Sequence, residues 1–131
     1  MMQTMAISDK RMYQKATPHI MTPRKMRIMQ ALRDALEYCG YDMTELLGNK
    51  THRRIYADLR AIIFSVYKTA TQATELQLRY DLGWDRTTIW YSIRKAEELR
   101  KADINFADMY DSIEGAFHDA LARIEEITNN S

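Results

Sequence analysis

The chain has 131 residues, 28% of them charged and 46% hydrophobic, with a formal net charge of +1. That balance describes one globular domain with an ordinary core, and no apolar run approaches the roughly 18 residues a bilayer span needs. Four glycines and two prolines leave little punctuation, which favours long helices over short strands, and the single cysteine, Cys39, excludes an internal disulfide.

Residues 1–21 hold five of the nine methionines and three bases, Lys10, Arg11 and Lys15, without a clean period. They read as a flexible basic arm, with no apolar h-region of a secretory leader. Thr22 then caps a helix and Pro23 suits its first position. Ile28, Met29, Leu32, Ala35, Leu36 and Cys39 follow at helical spacing, and Gly40 ends the run in a left-handed turn. "YDMTELLGNK" predicts a short helical turn capped by Asp42 with Glu45 three residues on, stopped at Gly48-Asn49. A long helix is expected from about Thr51 to Ala70, with Ile55, Leu59, Ile62, Ile63 and Val66 as its apolar stripe. A short helix from Thr71 or Gln72 through Tyr80 would turn Leu76 and Tyr80 inward. "DLG" reads as a turn, and Asp85 caps the next helix, with Trp84 and Ile89 placed as a hydrophobic staple. The last helix, about Phe106 to Ile127 with Asn105 as its cap, carries Phe106, Tyr110, Ile113, Phe117, Ala120, Ile124 and Ile127 in steps of four and three. That is a heptad seam, open either to packing on the domain or to pairing two copies.

Charge divides along the chain. Residues 22–102 carry fifteen bases against ten acids, a net +5, while residues 103–131 carry one base, Arg123, against seven acids, a net −6. A basic body seeks phosphate or is simply a solvated face. Three segments follow: a basic arm at 1–21, a helical body at 22–102, and an acidic amphipathic helix at 103–131 that packs or dimerises.

Enzymatic and metal chemistry find no anchor. There is no phosphate-cradling glycine loop. His19, His52 and His118 stand far apart without Cys, His or carboxylate at ligand spacing. Carboxylate pairs such as Glu97-Glu98 point in different directions along a helix. The chain is expected to be no enzyme and to use no cofactor.

"LGWDRTTIWYSIRKAEELR" carries the sharpest signal. On a helical wheel Ile89, Ile93, Ala96 and Leu99 share one side, and Thr87, Tyr91, Arg94 and Lys95 share the other. Arg86 sits in the first turn. Hydroxyls, an arginine and a phenol thus gather at the start of an outward face. A helix that reads DNA does so with its N-terminal residues on base edges and its flanks on phosphates. Arginine holds guanine through two hydrogen bonds, and a threonine methyl meets a thymine methyl. Backbone amides at the helix start favour a phosphate.

The ordered set "LEYCGYDMTELLGNKTHRRIYADLR", "RAIIFSVYK" and "DRTTIWYSIRKAEEL" resembles the C-terminal DNA-binding domain of the bacterial chromosomal replication initiator DnaA. That family shows an R-Q-x-A-M-Y-L helix and a later G-G-R-D-H-T-T-V-x-x-A-x-R-K-I-E-x-L signature. The match covers about residues 25–101, without the ATPase domain. It implies an all-α fold: a helix–turn–helix of the Trp-repressor-like type plus the C-terminal amphipathic helix. It places Arg60 at the minor-groove arginine and Lys68 at a second basic position. Asp85, Arg86, Thr87 and Thr88 fall at the D-H-T-T positions of the major groove, and Arg94 and Lys95 at the R-K pair. Tyr91 joins them from the wheel. Arg86 stands where the family has histidine, and Trp84 where it has arginine. The expectation is a cytoplasmic, nucleoid-associated, sequence-specific double-stranded DNA-binding protein. It would act in transcription regulation or replication-origin recognition, in the setting of a phage or mobile element, with a homodimer through residues 106–127 and no membrane partner. The rival is a helical protein-interaction adaptor that uses the unit as a scaffold, with Trp84, Trp90 and Tyr91 as an aromatic contact patch.

Overall fold

The computed structural model describes residues 21–130, so the expected arm lies outside the described residues except for Met21. Among the described residues there are six helices and no strand: α1 (Pro23–Tyr38), α2 (Met43–Gly48), α3 (Arg54–Thr71), α4 (Glu75–Leu82), α5 (Arg86–Ala102) and α6 (Ile104–Asn129). None is long and apolar enough to cross a membrane.

The first boundaries follow their caps. Thr22 Oγ1 accepts the Lys25 amide at 3.1 Å with Pro23 in the first turn, and Gly40 leaves α1 at φ 95°. Asp42 accepts the Thr44 and Glu45 amides to open α2. α3 begins at Arg54, later than the expected Thr51. The Asn49 side chain takes the Thr51 amide at 3.0 Å and Thr51 Oγ1 takes the Arg53 amide at 3.3 Å. Those local turns compete with the helix and hold residues 49–53 in a loop.

α3 is the central helix, packed against all five others. Residues Leu59 to Tyr67 are buried on every side, so the five-residue stripe read from periodicity undercounts it. Ile55, placed on that stripe, is exposed because it precedes the enclosed stretch. The α4 reading needs correction too. Thr71 finishes α3, Gln72 turns left-handed at φ 55°, and Thr74 with Gln77 forms the capping box of α4. Leu78 and Leu82 go inside, while Leu76 and Tyr80, on the other side of the helix, are 48% and 55% exposed.

Asp81 closes the far end of α4 on α1 and α3. Its Oδ2 accepts the Tyr67 hydroxyl at 2.8 Å and pairs with Lys25 Nζ at 2.9 Å, and its side chain has 0% exposure. Arg24 also donates to the Ala70 carbonyl at 3.1 Å. Burial first, and the Asp81 contact second, push the Tyr67 phenol well above its ordinary pKa.

α5 and α6 meet at Asp103, which ends one and caps the other by accepting the Phe106 amide at 3.0 Å; the expected cap, Asn105, lies inside α6. Phe106, Tyr110, Ile113, Phe117 and Ala120 are buried, and α6 makes its most extensive packing with α1. Each such large side chain contributes about 1.5–3 kcal/mol when buried. The seam therefore serves the monomer. For the alternative of pairing two copies through residues 106–127, Ile127 is the one seam residue left exposed, and Ile124 is half-buried.

Candidate nucleic-acid interface

Gly83, at φ 73°, ends α4 and swings the chain through Trp84 into Asp85. Asp85 Oδ2 accepts the Thr87 and Thr88 amides at 3.1 and 3.3 Å. This fixes the start of α5. It also means that two of the amides expected to favour a phosphate are already held by a carboxylate, so the helix start is no open anion site. α5 then buries Ile89 and Ala96, with Ile93 and Leu99 partly covered, as the wheel predicts.

Trp84 anchors the turn to a distant loop. Its indole Nε1 donates to the Leu47 carbonyl at 2.8 Å, and its ring packs tilted on Phe64 at 6.0 Å. Lys50 Nζ lies 3.6 Å from the ring centroid and Arg60 Cζ 4.8 Å from it, both cation–π contacts. Trp84 is buried and so is no part of an exposed aromatic patch.

Arg60 requires the main correction. The resemblance places it in a DNA groove, yet it is only 6% exposed. Its Nη1 donates to the Asn49 carbonyl at 2.8 Å and more weakly to Leu46 at 3.4 Å, and its Nη2 donates to Thr51 at 2.7 Å. Burial lowers its pKa from the usual arginine value. The guanidinium is an internal clamp on the α2–α3 loop, and it holds in place the loop carbonyls that local side-chain turns left free of the helix.

The remaining predicted residues divide clearly. Arg86, Thr87, Thr88, Tyr91, Arg94 and Lys95 are all exposed along α5. Arg86 Nε stands 3.8 Å from Glu75 Oε1, a loose surface pair. The Arg94 guanidinium lies 4.9 Å from the Trp90 ring centroid, and Tyr91 meets Trp90 edge to face at 4.9 Å. Lys68 is exposed in the last turn of α3, apart from this cluster.

Sequence reading missed what lies beside α5. A groove of about 730 Å³ runs between the start of α3 and α5, lined on one side by His52 and Arg54 and on the other by Tyr91, Ser92 and Lys95. The loop leading into it carries Lys50, His52 and Arg53, and Arg54 opens α3. The signal was the run K-T-H-R-R, a basic turn by the resemblance, with the long helix expected from about Thr51. Arg54 is partly committed, at 3.1 Å from Asp103 and 3.4 Å from Asp58. Among the described residues, no group of three or more His, Cys, Asp or Glu is placed to hold a metal ion.

No family model, curated protein or solved structure matches this chain.

Proposed function

We propose that the chain is a sequence-specific double-stranded DNA-binding protein. In this reading α4 and α5 form a helix–turn–helix of the initiator C-terminal type, and α5 is the helix laid in the major groove. One observation carries it: α5 presents Arg86, Thr87, Tyr91, Arg94 and Lys95 outward from its buried stripe, and His52 of the preceding loop and Arg54 at the start of α3 line one groove with Tyr91 and Lys95. Arg86 takes a guanine edge, Thr87 a base edge, and Arg94, Lys95 and the loop cations take phosphates on either side. Control of transcription or recognition of a replication origin are the roles that fit such a module. The adaptor reading draws on the exposure of Leu76, Tyr80, Trp90 and Tyr91 on α4 and α5.

Retention on immobilised random-sequence duplex separates the two. The DNA reading expects retention at low salt and release near physiological salt, with affinity falling by about 0.9 log units per log unit of salt for each phosphate contact. Flow-through at low salt overturns it in favour of the adaptor.

A further inference from the structure

Tyr91 stands opposite the buried Ile89 on α5 and is 63% exposed. It is a ridge between two recesses. One, of about 230 Å³, is lined by Glu75, Arg86, Thr87 and Trp90. The other is the larger groove of His52, Arg54, Ser92 and Lys95, and Tyr91 lines both. The ring sits edge-on against Trp90 at an interplanar angle of 78°, and Trp90 in turn carries the Arg94 guanidinium. A projecting tyrosine has only two side-chain torsions to fix on contact, so its ordering costs little.

In the DNA reading Arg94, stacked on Trp90, and Lys95, in the larger groove, take phosphates to either side of the ridge, which leaves the ring over base edges. Among base edges in the major groove, the apolar feature is the 5-methyl group of thymine. Resting on the DNA reading above, we propose that Tyr91 is a specificity-determining residue whose ring contacts the 5-methyl group of a pyrimidine in the target duplex. Thr87, which lines the same smaller recess, adds a second small apolar surface there.

The test uses the full chain and a duplex enriched by it from a random pool. Each thymine of that duplex is replaced in turn by uracil, which removes the methyl group alone. One position is expected to lose about fourfold in affinity, the worth of one buried methyl group. Tyr91→Ala should bind thymine and uracil at that position equally. Tyr91→Phe should still discriminate, because the ring and not the hydroxyl makes the contact. Lys95→Ala should bind more weakly overall yet keep the discrimination. A flat uracil scan, discrimination that survives Tyr91→Ala, or its loss in Tyr91→Phe each overturns this inference and leaves DNA binding intact. If no duplex is enriched, the DNA reading falls and takes this inference with it.

Discussion

The seam where α3 and α4 meet their neighbours and the outward face of α5 use the same chemistry to opposite ends. In the seam, Lys25 and Tyr67 converge on Asp81, and Arg60 spans the carbonyls of Leu46, Asn49 and Thr51 under Trp84. Along α5, Arg86, Arg94 and Lys95 are exposed, with a loose ion pair and an aromatic face as their neighbours. A buried charge that lost its partners would cost several kcal/mol, so burial of these groups demands that they be satisfied. An exposed charge costs nothing to leave open to a ligand. Environment, and not residue type, therefore separates the basic residues that hold this fold from those left exposed on α5.

The strongest way to break that contrast is at Asp81. Asp81→Ala leaves a largely buried Lys25 ammonium and a buried phenol without their shared acceptor. The expected loss is about 3–5 kcal/mol of folding stability, read as a lower midpoint in urea unfolding. A change below about 1 kcal/mol would mean that the seam is not the lock described here.

A paired substitution sharpens the contrast next. Arg60→Met keeps most of the packing but strands the loop carbonyls. It should cost about 1–3 kcal/mol of stability and leave duplex affinity per folded molecule nearly unchanged. Arg86→Ala should do the reverse, with stability shifted by less than about 0.5 kcal/mol and specific binding weakened by about 1–3 kcal/mol. Unfolding curves and duplex titrations on both variants check this. Equal loss of binding in the two would return Arg60 to the interface.

These residues also show what was legible in the chain. Six helices, the Thr22, Asp42 and Asp85 caps and the two-sided wheel of α5 came from local rules, because each depends on residues within one turn of the other. The inward turn of Arg60 did not, because its partners lie 9–14 residues away and are backbone carbonyls, which carry no residue identity. Trp84 was placed correctly beside its cap, but its bond to Leu47 spans 37 positions and left no local trace. α4 offers two apolar i,i+4 pairs on opposite sides, Leu76 with Tyr80 and Leu78 with Leu82, and only the tertiary packing decides that the second goes inside. For α6, the heptad marked the apolar face and left its partner open between the domain and a second copy, since a seam specifies an apolar face without saying whether α1 or a second copy covers it.

The smallest effect tests the seam by pH. Tyr67 is neutral in the fold, and its pKa is raised by burial and by Asp81; Tyr110 is raised as well, mainly by burial, against the lowering pull of Arg100. A free tyrosine titrates near about pH 10. A group whose pKa is higher folded than unfolded contributes stability that is fully present below the unfolded value. That contribution is lost as pH rises through the folded value, because unfolding then releases a proton. Neutral and mildly acidic conditions leave this contribution intact, and stability should begin to fall as pH passes about 10. Tyr67→Phe should lower stability modestly at pH 7 through the lost hydrogen bond, by about 1 kcal/mol, and make the alkaline decline shallower than in the parent chain. Urea midpoints measured from pH 8 to 11 on both proteins decide the matter. Parallel declines would show that Tyr67 does not account for the alkaline loss of stability.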